Sequence, residues 1–186
     1  MYKFFCAIVV FGLLNFQSLA QVPKSTAKLP VDETTKLITY SKVNEVAGQS
    51  KDVLFDRAVE WATTYYKNPT DVIREKDKEG GKMVCKARYK ISNPADKKGL
   101  ITEAGLVQYT LNVQFKEGRY KYELTEINWK QISNYPVEKW MDTTSAYYKP
   151  EFDFYLQQVD QQSKEILKSL EKACAVAKAA NKKDDW

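Results

Sequence analysis

The middle of the chain alternates apolar and polar residues with a period of two, and the segments on either side of it switch to a period near 3.6. From Lys82 to Ile91, the apolar set Met83, Cys85, Ala87, Tyr89 and Ile91 interleaves with Lys82, Lys86, Arg88 and Lys90, and Val84 is the one exception. From Val107 to Lys116, Val107, Tyr109, Leu111, Val113 and Phe115 interleave with Gln108, Thr110, Asn112, Gln114 and Lys116. Such alternation predicts antiparallel strands with one buried and one wet face. A shorter strand, Val72 to Lys78, leads through Gly80-Gly81, the two-residue signal of a tight hairpin. Lys116-Glu117-Gly118 turns the chain into a further strand with Tyr120, Tyr122 and Leu124 inward. Ile127 and Trp129 fall on the other parity, which predicts a bulge or a strand end near Thr125.

Ahead of these strands, Leu37 to Val46 reads as a strand closed by Gly48. Ser50 then caps a helix whose stripe is Leu54, Ala58, Trp61, Ala62 and Tyr65, and Asn68-Pro69 stops it. After the strands comes an irregular, strongly aromatic stretch, Asn128 to Lys149. Pro150 suits the first turn of a long helix striped by Phe152, Leu156, Val159, Ile166, Leu167, Leu170, Cys174 and Ala177. The order is strand, helix, four antiparallel strands, helix. This predicts an α+β domain, a single curved antiparallel sheet with both helices on its one apolar face.

The outermost segments predict an address. Lys3, the apolar run Phe4 to Leu14, and small residues at Ser18 and Ala20 form the pattern of a signal peptide cleaved after Ala20. A single-pass anchor is the competing reading. No cysteine follows the cleavage site to take a lipid, and no later stretch is apolar for long enough to span a bilayer. The expected organisation is a signal peptide over 1–20, a polar tether over 21–36, one domain over 37–180 and a frayed charged tail over 181–186. The mature protein is expected to be exported, to the periplasm or the cell surface.

Composition removes several chemistries. The chain has no histidine, so histidine triads and histidine-ligated metal centres are excluded, and no metal or other cofactor is expected. The net charge is +5, falling to +4 when Lys3 leaves with the signal peptide, and the signs are interspersed. That balance permits an anionic partner without requiring one, and export disfavours nucleic acid. Cys85 and Cys174 remain after cleavage, either as one disulfide in an oxidising compartment or as two buried, inert thiols.

Leu29-Pro30-Val31-Asp32, Ile38-Thr39-Tyr40, Ser50-Lys51, Leu54 and Trp61 resemble the opening of a secreted bacterial domain family of unknown function with a TATA-binding-protein-like fold. Val107-Gln108-Tyr109-Thr110-Leu111 and Gly118-Arg119-Tyr120 are similar to the same family, with a looser likeness at Tyr135-Pro136-Val137-Glu138-Lys139. The resemblance implies the same element order. It carries over no catalytic or ligand-binding residue, and likeness of fold to a DNA-binding protein transfers no function.

Two surfaces are candidates for binding. The outward sheet face gathers Lys86, Arg88, Lys90, Lys116, Arg119 and Lys121 with Gln108, Asn112 and Gln114, against Glu123 as the one acid of that parity. It suits an anionic or glycan ligand, or is simply a solvated face. Trp129, Tyr135, Trp140, Tyr147 and Tyr148 could stack on sugars or a protein partner, or fill the core. For an enzyme the proposable pairs are Glu123 with Glu126, or Asp142 with Thr143 and Ser145. The expectation is a non-catalytic binding or interaction module for an envelope protein or glycan. The competing class is a carboxylate-dependent hydrolase acting on envelope glycans.

Overall fold

The computed structural model describes residues 29–175, so the signal peptide, residues 21–28 of the tether and the tail over 181–186 lie outside the described residues. The elements are β1 (Tyr40–Glu45), α1 (Lys51–Tyr65), α2 (Pro69–Val72), β2 (Ile73–Asp77), β3 (Lys82–Ser92), β4 (Glu103–Lys116), β5 (Arg119–Lys130), β6 (Asn134–Pro136), a 3-10 turn (Val137–Met141) and α3 (Glu151–Ala175). The strands form one antiparallel sheet ordered β1-β5-β4-β3-β2, and β6 pairs with the far end of β5. The expected α+β order is present.

The alternation read in β3 and β4 acts through register. Tyr40 pairs with Leu124, Leu124 with Leu111, Leu111 with Cys85 and Cys85 with Ile73, so one inward residue from each of five strands falls in a single line across the sheet. All but the half-buried Ile73 are buried. A slip of one residue in any strand would turn that strand's apolar set to water. Near its middle β5 does bulge. Gln108 opposes Asn128 while Thr110 opposes Thr125, and Glu126 takes up the extra length with φ +52°. The parity change expected near Thr125 is this bulge, and beyond it Ile127 is buried.

Both long helices lie on the apolar face, and polar contacts fix where they sit. Ser50 caps α1, its Oγ accepting the Val53 amide at 3.3 Å. Trp61 Nε1 donates to Ser169 Oγ at 2.9 Å, tying α1 to α3. Arg57, 8% exposed, donates from Nη1 to the Cys174 carbonyl at 2.9 Å and from Nη2 to Gln49 Oε1 at 2.8 Å. Tyr40 donates to Asp160 and Tyr122 to Glu171, both at 2.9 Å, so α3 is pinned to β1 and β5 as well. Each such bond contributes about 1 kcal/mol net, and their larger role is to leave few buried polar groups unpaired.

Several expectations change. The chain enters the fold before Leu37, because Leu29 is buried, Val31 bridges Ile38, and Asp32 Oδ1 accepts the Thr34 and Thr35 amides to form a turn. The Gly80-Gly81 hairpin is wider than two residues: Asp77 pairs with Lys82 across the loop Lys78 to Gly81, and Asp77 Oδ1 accepts the Gly80 amide at 2.9 Å. The stretch after β5 is not wholly irregular, since β6 and the 3-10 turn fold it back against α3. There Trp140 is 0% exposed, stacked on Phe152 with centroids 5.5 Å apart and packed on Trp129 and Tyr155. Cys85 and Cys174 are buried and free rather than bridged. Cys85 belongs to the cross-sheet line, whereas Cys174 lies against Tyr120, four positions along β5 from that line.

Two outcomes follow from this packing. Trp140→Ala empties a fully enclosed site and should cost about 3–5 kcal/mol, read as a lower midpoint in denaturant unfolding. Burial pushes both thiols up to about 12, so neither is a thiolate near neutral pH. Iodoacetamide should leave Cys85 and Cys174 unlabelled in the native protein and should label both once it is unfolded, equally with and without prior reduction. A requirement for reductant would mean that the two are bridged.

Candidate functional site

The outward sheet face is charge-mixed. Its rows run Arg88–Gln108–Asn128, then Lys86–Thr110–Thr125, then Val84–Asn112–Glu123, then Lys82–Gln114–Lys121. Lys90 pairs with Glu103 at 2.6 Å, Lys82 with Glu75 at 2.8 Å, Lys121 with Glu123 at 3.4 Å and Lys86 with Glu126 at 3.6 Å. The expected excess of six cations over one acid is therefore corrected. Adjoining strands bring Glu75 and Glu103 to the face, and the bulge carries Glu126 onto it, where Glu126 Oε2 also accepts the Thr110 hydroxyl at 2.6 Å. Among the described residues, Arg88, Lys116 and Arg119 keep no ion pair. Gln114, Arg119 and Lys121 border a hollow of about 240 Å³ beside Val43, separate from Arg88.

The aromatic residues converge more closely. Trp129, Tyr135, Tyr147 and Tyr148 all line one cavity of about 750 Å³ on the helix side of the sheet, together with Phe152, Lys139, Asp142, Ser145 and Lys149. Only Trp140 is missing from the expected set, because it is the packed floor behind Trp129 and Phe152. Trp129 is held from two directions. Its Nε1 donates to the Ala104 carbonyl at 3.2 Å, and it meets Tyr135 edge-on at 6.4 Å. The indole can take that place because Gly105, at φ +129°, has no side chain: a Cβ there would stand 2.7 Å from Nε1. Tyr148 meets Phe152 edge-on at 6.1 Å, Lys139 Nζ lies 5.3 Å from the Tyr135 centroid, and Tyr147 is 82% exposed at the rim.

The sequence proposed Asp142 only as part of a catalytic set and Phe152 only as a core position, and it singled out neither Lys139 nor Lys149 for binding, although all four line the cavity with the aromatic residues. Asp142 accepts the Thr144 hydroxyl at 2.6 Å and its amide at 3.0 Å, and these bonds hold its carboxyl below the usual range. It is an anionic acceptor that also closes a turn. Ser145 contributes its amide to the Asp142 carbonyl and accepts the Tyr147 amide on Oγ at 3.2 Å. Asp142, Thr143 and Ser145 thus shape a turn at the cavity edge.

A second cleft, about 760 Å³, opens beside β3 where β2 ends, and it takes in Lys86, Arg88 and Gln108 from the predicted face. Arg74, Lys67 and Tyr66 also border it and were not foreseen. Tyr66 and Tyr109 share a buried hydroxyl contact of 3.1 Å at its base, and burial raises both phenols well above their ordinary value, so they stay neutral. The remaining acid pair separates: Glu123 faces Lys121, whereas Glu126 borders a small cavity of about 290 Å³ with Glu138. Among the described residues there is no cluster of three or more potential metal-ligating side chains, and no helix is long and apolar enough to cross a membrane.

Comparison with known proteins agrees with this architecture. A crystal structure described as a DUF4468 family protein from Bacteroides ovatus superposes with a TM-score of 0.62 at 18% identity, covering 84% of this chain and 95% of that one. A crystal structure described as a TBP-like protein from Parabacteroides distasonis superposes with a TM-score of 0.57 at 15% identity, covering 76% of this chain and 94% of that one. At these identities the likeness is one of fold. No curated protein matches the chain. Residues 40–130, from the start of β1 to the end of β5, match the model of the DUF4468 family, a domain of unknown function with a TBP-like fold, and over these residues the chain carries that domain.

Proposed function

We propose that this protein is an exported, non-catalytic binding module of the cell envelope whose aromatic cavity takes a glycan. The observation that carries the reading is the convergence of Trp129, Tyr135, Tyr147 and Tyr148 on one cavity of about 750 Å³. A sugar ring has an apolar C–H face and a polar rim, so a site for it needs aromatic planes with a few hydrogen-bonding groups between them. Lys139, Asp142 and Lys149 are such groups here. The buried Trp140 behind the cavity favours a preformed site, which lowers the ordering cost of binding. Export is supported by the cation, apolar run and small residues of positions 1–20.

The competing reading, a hydrolase of envelope glycans, draws on one feature. Glu126 and Glu138 border the same small cavity, and Glu138 Oε2 is buried with no hydrogen-bond partner among the described residues. Glu138 also has a structural task, because its Oε1 accepts the Ile38 amide at 2.8 Å. Asp142 stands as the one carboxylate among the residues lining the larger cavity, and paired-carboxylate hydrolysis needs two.

Thermal unfolding of the purified protein against neutral oligosaccharides and peptidoglycan fragments tests the glycan reading. A ligand of the native state raises Tm according to its concentration over its Kd. Tyr147→Ala should lower affinity at least about fivefold while leaving the ligand-free Tm unchanged, since one stacked ring is worth about 1 kcal/mol. Affinity unaltered in Tyr147→Ala and Tyr148→Ala together would overturn this assignment. Release of cleaved sugar, abolished by Glu126→Gln, would favour the hydrolase. The address has its own readout: protein recovered from the envelope fraction should begin at Gln21, and an uncleaved N-terminus would contradict export by this route.

A further inference from the structure

The two strands of the β2–β3 hairpin are unequal. β2 begins only at Ile73, opposite Cys85, where the chain arrives from α2, while β3 runs on to Ser92. From Lys86 onward β3 has β4 on one side and no strand on the other. At the far end Gln158 of α3 substitutes for a strand. Its Oε1 accepts the Ser92 amide at 3.0 Å and its Nε2 donates to the Ser92 carbonyl at 2.9 Å.

These bonds set the phase of the free stretch. The amide and carbonyl of Ser92 face away from β4, whereas the Gly81 carbonyl faces β4 and accepts the Phe115 amide at 2.8 Å. In a strand the direction alternates residue by residue, so the N–H and C=O groups of Lys86, Arg88 and Lys90 all point out of the open edge. The wide pairing of Ile73 with Cys85 turns the Lys86 amide toward Val72, and no strand pairs with the groups of Arg88 and Lys90. An unpaired row of this kind is a template for another strand.

The cleft of about 760 Å³ lies along this edge, and its two sides differ in chemistry. On the helix side stand Tyr66, Tyr109 and Ile166, and on the outer side Arg74, Lys86 and Arg88. Lys86 is shared with Glu126, while Arg74 and Arg88 have no ion pair among the described residues. The one acid lining the cleft, Asp71, is engaged by Asn68 Nδ2 at 2.5 Å. A strand laid beside β3 would direct alternate side chains to these two sides.

We propose that the free half of β3 is a docking edge for an extended acidic peptide, which adds to the sheet as a further strand beside Lys86, Arg88 and Lys90. Its side chains alternate between apolar groups lodged against Tyr66 and Ile166 and carboxylates facing Arg74 and Arg88. A second copy of this chain is a poor occupant. Pairing two such edges would set Lys86, Arg88 and Lys90 against their own like charges, a device by which edges avoid self-association. The same cations that repel a copy attract an acidic strand.

The experiment uses ¹⁵N-labelled full chain and a blocked seven-residue peptide in which valine alternates with aspartate or glutamate, with amide exchange read by NMR. Seven residues span about 23 Å, enough to cover the free edge. The peptide should slow exchange at Arg88 and Lys90 at least tenfold. Arg74→Glu combined with Arg88→Glu should weaken binding at least tenfold with Tm unchanged, and the Gln pair at the same positions gives a milder loss if the charge reversal fails to fold. A peptide N-methylated on its β3-facing amides should not bind, whatever the protein variant. Four results would overturn the proposal: no slowing at these two amides, equal binding by a peptide with lysine in place of the acids, binding of a sulfated oligosaccharide that displaces the peptide without protecting the amides, or concentration-dependent protection of the same amides by self-association.

Discussion

The structure depends on one line of side chains. Tyr40, Leu124, Leu111, Cys85 and Ile73 cross the sheet strand by strand, and each holds its neighbours in register because a one-residue slip would reverse the facing of a whole strand. With that line in place the sheet has a single apolar face, and the two long helices must cover it. Burial of apolar surface drives the arrangement, at about 25 cal/mol per Å² removed from water. Directional bonds from Trp61, Arg57, Tyr40 and Tyr122 then select one position for α3 among those that burial alone would allow.

Position of α3 in turn decides what the surface offers. Near its N-terminus, Phe152 and Tyr155 receive Trp140, and the 3-10 turn carries the remaining aromatic residues around that anchor to form a cavity. Gln158, two turns further, closes the last residue of β3. Gln162 and Ile166 then form one wall of the cleft at the open strand edge. Thus a single helix lines both recesses at different points along its length, with Phe152 in one and Gln162 and Ile166 in the other.

How much of this the chain announces depends on the range of the signal. The capped α1, the alternation of β3 and β4 and the bulge near Thr125 are local patterns, and parity alone was enough to read them. β6 is three residues long, too short to show a period, and its pairing with β5 is a consequence of where the chain is folded back. The ion pairs of the outer face could not be read either. Lys90 meets Glu103 and Lys86 meets Glu126 through strand register and a left-handed residue, neither of which composition encodes. For the aromatic site the residue types were legible, but not that Trp140 points inward while Tyr147 stands at the rim, because a 3-10 turn has no alternation to follow. One long-range feature was nonetheless within reach: Val72 to Lys78 is shorter than Lys82 to Ile91, and a hairpin with unequal arms leaves an overhang.

Gly105 connects these themes. It contributes no contact to any ligand, lies on a different strand from most of the cavity and differs from its neighbours only in what it lacks. Its missing Cβ is the space in which the Trp129 indole rests against the Ala104 carbonyl. Comparing members of this family by their cavity-lining residues alone would therefore misjudge them. A relative with every aromatic retained and alanine at the place of Gly105 would have to move its tryptophan, and its cavity would be a different shape written in the same letters.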